Sequence, residues 1–222
     1  MKRSRDIEKR SEINSAIEEL SVLVIVKPEE DHEAGARIPT KPFLSLCYMV
    51  LQVLDKVGPT MAVLRQDIHQ NIKRLEAIHE SNPLTNSNLV EIFKSETSKG
   101  NGKKRVSGSK SFVWLTRSLD FTSALLQALL VKDPKKNMEQ AVQESYDATL
   151  KPWHGWIASA AYRVAIKLVP DTKTFMDLLR EKDEDCNTLM EKMEILVSLL
   201  VPFLEDIHCI LKVYNLDRLK SN

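Results

Sequence analysis

An all-α fold is predicted by two features of this 222-residue chain. Glycine is scarce, with only six in the whole sequence, and apolar residues recur mostly at the three- and four-residue spacing of helices. A hydrophobic content of 43% with 28% charged residues adds that the helices belong to a soluble globular domain. The length suits one domain with a sizeable core. Neither an internal repeat nor a sustained heptad pattern is present, so a coiled coil or solenoid is not indicated.

Taken in order, residues 1–10 read as a charged tail. A first helix is expected over 12–26, with Ile13, Ile17, Leu20 and Val24 on one face. A polar loop containing Pro28, Gly35 and Pro39 follows, and Pro42 opens a second helix carrying Phe43, Leu46, Cys47, Val50, Leu54 and Val57. Gly58-Pro59 interrupts, and a third helix runs to Glu80 with Leu64, Ile68, Ile72, Leu75 and His79 on its apolar stripe. A shorter helix over 86–97 leads to "KGNGKKRVSGSK" (99–110), read as a flexible basic loop. From Ser111 to Val131 the pattern is apolar nearly all round, which places that helix in the middle of the domain. Residues 137–168 form one helix, or two meeting at Pro152. A short helix over 172–181 precedes a last one over 185–213, expected to kink near Pro202.

The bulk numbers narrow the function classes. A net charge of +1 argues against a nucleic-acid binder that works by neutralising phosphates. The three cysteines, Cys47, Cys186 and Cys209, show neither zinc spacing nor a disulfide framework, which suits a reducing cytosol, and Cys47 reads as a small core residue. The N-terminus is too charged for a secretory signal, and the longest apolar run, "ILVSLLVPFL", is about half a membrane span. No GxSxG, HExxH, Walker loop or GxGxxG occurs. Nothing in the sequence calls for a cofactor or a metal.

Three groups of residues carry candidate chemistry. Asp67, Asn71 and Arg74, at i, i+4 and i+7, align an acceptor, an amide and a cation beside the buried stripe of the third helix. They are either a solvated face or a polar patch at a pocket mouth. Trp114 is either core or a flat surface for a ligand ring, with Lys110 one turn before it and Arg117 roughly one turn after. In "LKPWHGWIAS" (150–159), Trp153 and Trp156 would share a side of a helix, with His154 pointing elsewhere. That histidine is either structural or a polar group for a ligand. An Asp67–His154 dyad would lack an accompanying nucleophile.

The segments "DIHQNIKR" (67–74), "VWLTRSLDF" (113–121) and "LKPWHGWIASAAYRVAIKLVPD" (150–171) together resemble the glycolipid transfer protein family, the "WLTR" and "WHGW" wording being closest to plant members. "KPFLSLC" upstream and "PFLEDIH" downstream fit as well, and the likeness spans 38–215. The N-terminal 1–37 (basic tail plus a candidate first helix) and the 216–222 end fall outside it. The resemblance implies a compact two-layer sandwich of about eight helices enclosing a lipid pocket. It further implies a sphingolipid ligand, transient contact with a membrane surface, a cytosolic protein and no catalysis.

By resemblance, Asp67 would bind the ceramide amide N–H and a sugar hydroxyl, Asn71 would bond the sugar, and Arg74 stands where the family usually has lysine. Trp114 would stack on the sugar, His154 would donate to the amide carbonyl, and Trp156 would contact the membrane. The residue types suit these roles: an amide offers one donor and one acceptor, and a sugar has an apolar face and a hydroxyl rim. The branch of the family that carries ceramide-1-phosphate has arginine in place of Trp114 and a second basic residue one turn earlier. Lys110 occupies that earlier turn here, so a phosphate contact through Lys110 and Arg74 is the alternative, as is a sensor acting on a protein partner.

Overall fold

The computed structural model describes residues 11–23, 36–98, 100, 107–131 and 137–220. Among them are nine α-helices: α1 (Glu12–Val22), α2 (Thr40–Val57), α3 (Ala62–Ser81), α4 (Leu89–Ser98), α5 (Gly108–Leu130), α6 (Met138–Thr149), α7 (Trp156–Ala165), α8 (Thr172–Leu179) and α9 (Cys186–Val213). The all-α expectation holds, with nine helices against about eight. Val24, the 1–10 tail, the 24–35 loop and most of the 99–110 segment lie outside the described residues.

Most helix starts are written locally. Ser11, Ser107, Asn137, Asp171 and Asp185 each accept a hydrogen bond from a backbone N–H of the following turn, and Asn137 closes a reciprocal box with Gln140. Each such cap contributes on the order of 1 kcal/mol. Gly58 ends α2 at φ 100°, a left-handed conformation that favours glycine, and Pro59 then opens a short 3-10 turn into α3. The final helix runs unbroken through Pro202.

The start of α5 departs from expectation, and the choice left open over 137–168 is decided. Gly108, Ser109 and Lys110 do not end a loop; they form the first turn of α5. Their backbone is claimed from outside: the Glu96 carboxylate of α4 accepts from Gly108 N at 2.6 Å and from Ser109 N at 2.8 Å. At Gly108 an added Cβ would stand 2.8 Å from both Ile78 and Ile92, so that position has no room for a side chain. The 137–168 segment is two helices, α6 and α7, joined by a 3-10 turn over Lys151–Trp153. Pro152 brings no backbone donor to the first positions of that turn and Gly155 caps the next helix, so the chain turns a corner there.

α5 lies at the centre, packed against α3, α4, α6 and α9, while α2 bridges α1 and α3, and α1 closes back on α9. Phe112 on α5 sits 4.7 Å from Phe43 of α2 and 4.9 Å from Phe93 of α4 by ring centroids, and all three are fully buried. Burying each such ring contributes about 2–3 kcal/mol. Cys47 is buried in the same core. So are Ile13, Ala16 and Leu20 of α1 and Leu216 near the C-terminus, which joins both ends of the described chain to one body. Leu64, expected on the buried stripe of α3, instead remains 37% exposed, because the helix begins just two residues earlier at the edge of the fold. No helix among the described residues is long and apolar enough to cross a membrane.

Candidate functional site

On α3, Ile68, Ile72 and Leu75 are buried, and the polar row lies beside them at the rim. Asn71 and Arg74 are half-buried and Asp67 is accessible. The row is wired internally: Asn71 Nδ2 donates to the Asp67 carbonyl at 3.0 Å, and Arg74 Nη1 donates to Asn71 Oδ1 at 3.3 Å. The same Nη1 donates to Ser111 Oγ on α5 at 2.7 Å, which aims the guanidinium across the helix pair. Protein crowds the Asp67 carboxyl although solvent still reaches it. That burial raises its pKa, and the charge of Arg74 acts in the opposite direction.

One turn along α5 from Ser111 stands Trp114, half-buried, its indole stacked on the imidazole of His154 with centroids 5.4 Å apart. Sequence spacing does not place these two together; the corner at Pro152–Gly155 does. It also alters the tryptophans: Trp153 sits on the 3-10 turn, while Trp156 opens α7 and is 80% exposed. They share no helix face, and His154 lies on the corner rather than within a helix. Lys110, half-buried in the first turn of α5, is one turn before Trp114.

Ser111, Tyr146 and Tyr162, absent from the sequence-derived set, and Arg117, read there only as a cation near Trp114, complete the arrangement. Ser111 anchors Arg74. Arg117 is 3% exposed, with its guanidinium 4.0 Å over the Trp153 ring and 5.0 Å over that of Trp114. Its Nη2 donates to the Asp217 carbonyl at 3.1 Å, and its buried Nη1 has no hydrogen-bond partner among the described residues. Burial pulls its pKa down to about 10 against the pull of Asp120 and Asp217, so it remains charged at neutral pH. Tyr146 Oη lies 3.2 Å from His154 Nδ1 and 3.3 Å from Ser159 Oγ, and its ring stacks on Tyr162. Arg117 had a sequence signal, its i+3 spacing from Trp114. The tyrosines had none, because the corner had to be known first.

Burial, followed by the Arg117 charge, holds the His154 pKa below the ordinary histidine value. Asp67 and His154 make no hydrogen bond to each other among the described residues, so the dyad geometry of a hydrolase is not formed. The arrangement offers instead a carboxylate acceptor, an amide, a fixed guanidinium, an accessible part of an indole and a neutral imidazole. Beside it lies α7, an apolar helix none of whose residues is buried.

The family model described as Glycolipid transfer protein (GLTP) matches residues 38–181. Glycolipid transfer protein 3 of Arabidopsis thaliana is 53% identical over 218 residues, covering 96% of this chain and 93% of the relative. Among solved structures, FAPP2, which selects simple glycosphingolipids using the GLTP-fold, aligns with a TM-score of 0.82 at 23% identity over 96% of this chain and 100% of that one. Mouse ceramide-1-phosphate transfer protein aligns with a TM-score of 0.80 at 16% identity over 93% of this chain and 98% of its own. At those identities the two structures speak for the fold alone, and the fold agrees with the family match. The chain belongs to the glycolipid transfer protein family.

Proposed function

We propose that this chain is a cytosolic carrier that lifts a sphingolipid, preferentially a glycosylceramide, from one membrane and delivers it to another without altering it covalently. The observation that carries this reading is the meeting of two recognition units at one end of α5. The polar row Asp67–Asn71–Arg74 is bonded to Ser111, and the Trp114–His154 stack stands one turn further along. A ceramide amide needs one acceptor and one donor, which Asp67 and His154 supply as a pair, and a sugar needs a ring face and hydroxyl partners.

The hydrocarbon requirement follows from magnitude. Withdrawing a chain of about 16 methylenes from a bilayer into water costs on the order of 12 kcal/mol at about 0.8 per CH₂. A carrier must therefore offer apolar walls. The half-buried stripe Trp114, Phe121, Leu125 and Leu129 on α5 suits that use. So do the small residues of 158–161 on α7. Trp156 and Ile157, exposed at the start of α7, suit transient contact with the bilayer. A net charge of +1 keeps that contact weak.

The test is vesicle-to-vesicle transfer of labelled glucosylceramide and labelled ceramide-1-phosphate by wild type and Trp114→Ala. Faster movement of the glycolipid, reduced roughly tenfold or more in the variant, is the expected result. Preference for the phosphate would shift the headgroup assignment to Lys110 and Arg74. Movement of neither lipid would overturn the carrier reading.

A further inference from the structure

We propose that Tyr146 and Arg117 are positioning residues that hold His154 as a single-proton donor: the Tyr146 phenol donates to Nδ1, and Nε2–H is left for a ligand carbonyl. This rests on the reading of His154 as the group that meets the amide carbonyl of a sphingolipid.

A neutral imidazole carries one N–H, and the partner of one nitrogen decides which nitrogen holds it. Here Nδ1 is 3.2 Å from Tyr146 Oη, and Ser159 Oγ is 3.3 Å from the same oxygen. The three groups form a relay that can run in two directions. Run from imidazole to serine, it leaves Nε2 a bare acceptor. Run from serine to imidazole, it leaves Nε2 a donor. A ligand amide directs its N–H to Asp67 and so presents its carbonyl to His154, which selects the second direction.

Tyr146 is built to hold its oxygen still. The residue is 3% exposed, its ring lies parallel to that of Tyr162 at 3.4 Å between centroids, and Tyr162 Oη donates to the Val142 carbonyl one turn earlier on α6 at 2.9 Å. Few freedoms remain to a phenol so placed, and the hydrogen bond it makes fixes the orientation of the imidazole.

Arg117 controls the charge. A second proton on His154 would convert Nδ1 from acceptor to donor and break the arrangement with Tyr146. Trp114 of α5 and Tyr146 of α6 face the imidazole, with Tyr162 of α7 behind Tyr146, and the Arg117 guanidinium lies over the same Trp114 ring on which the imidazole stacks. Asp120 and Asp217 lie near Arg117 and temper its charge. The depressed proton affinity of His154 carries the imprint of Arg117 as its second cause, after burial. A buried guanidinium with one unpartnered nitrogen is a poor packing element. Its place over two indoles fits an electrostatic duty.

The test is nitrogen NMR of the His154 ring in the full chain, alongside glucosylceramide transfer between phosphatidylcholine vesicles. Wild type loaded with glucosylceramide should show the Nε2–H tautomer at neutral pH, and an Nδ1–H tautomer there overturns the proposal. Tyr146→Phe should mix the tautomers and slow transfer roughly tenfold, the scale of one lost hydrogen-bond partner. Arg117→Gln should move the His154 titration midpoint upward, and Arg117→Lys, which keeps the charge, should restore it. An unchanged tautomer in Tyr146→Phe, or an unchanged midpoint in Arg117→Gln, overturns the proposal. Should Arg117→Gln fail to fold, Tyr146→Phe and Arg117→Lys still decide it, since a midpoint raised in the lysine variant would also count against it. Wild type that shows the expected tautomer but moves no lipid would defeat the carrier reading and leave the positioning roles standing.

Discussion

α5 and α7 are both apolar helices, yet they meet opposite fates. Phe112, Leu115 and Leu119 of α5 are buried, because α3, α4, α6 and α9 press on it from several sides. α7 buries no residue, and Trp156, Ile157 and Val164 look outward. Among the described residues, α7 is tied down through Ser159 and Tyr162 to α6, with Ile166 buried just past its end. Apolar composition thus says that a surface prefers to leave water, not what receives it. For α5 the recipient is protein. For α7, under the proposed function, it is lipid.

That contrast predicts its own largest effect. Phe112→Ala should destabilise the fold by about 3–5 kcal/mol in urea unfolding, because it empties a site between Phe43 and Phe93. Ile157→Ala should stay within about 0.5 kcal/mol of wild type, as exposed substitutions do. Equal losses in the two variants would mean that α7 is packed after all. A smaller loss is expected at the start of α5. Gly108→Ala should cost about 1–3 kcal/mol, since Ile78 and Ile92 leave no room for the added carbon. Urea midpoints for all three variants would rank the regions on one scale.

The same contrast explains what was legible in the sequence. Most helix periods and the placing of the Asp67–Asn71–Arg74 row beside the buried stripe of α3 are local properties, written within a few residues, and they emerge where expected. Properties imposed by a distant partner do not. The first turn of α5 resembles a loop until Glu96 of α4 is seen to accept from its N–H groups. Trp153, His154 and Trp156 read as one helix because the sequence marks a break at Pro152 and none at Gly155, where α7 is capped. Arg117 reads as a mere cation near Trp114, and its contact with Trp153 depends on how the corner folds back.

The outward face of α7 yields a functional prediction with almost no stability signature. Trp156→Ala should slow transfer severalfold, because an interfacial indole is lost, while the unfolding midpoint stays within about 0.5 kcal/mol of wild type. Binding of the lipid-free protein to phosphatidylcholine vesicles should weaken in parallel. A variant that transferred normally would show that the membrane meets another surface.

The smallest expected effect on stability belongs to Asp67, and its sign is the informative part. Burial raises the pKa of Asp67, so the folded chain takes up that proton before the unfolded chain does. Its charge therefore weighs against folding at neutral pH, and the weight is lifted as pH falls through the raised value toward the ordinary 3.8. His154 runs the other way: its pKa is lowered, the unfolded chain takes the proton first, and stability declines as pH falls below the ordinary 6.5. Asp67→Asn should then be no less stable than wild type at pH 7 and should lose the relief on acidification. Its lipid transfer should drop roughly tenfold, because the amide N–H of the ligand loses a charged acceptor. Urea midpoints across the window from neutrality to pH 4, with transfer rates at pH 7, separate the two consequences. A clear loss of stability at pH 7 would make Asp67 a structural residue and remove it from the binding site.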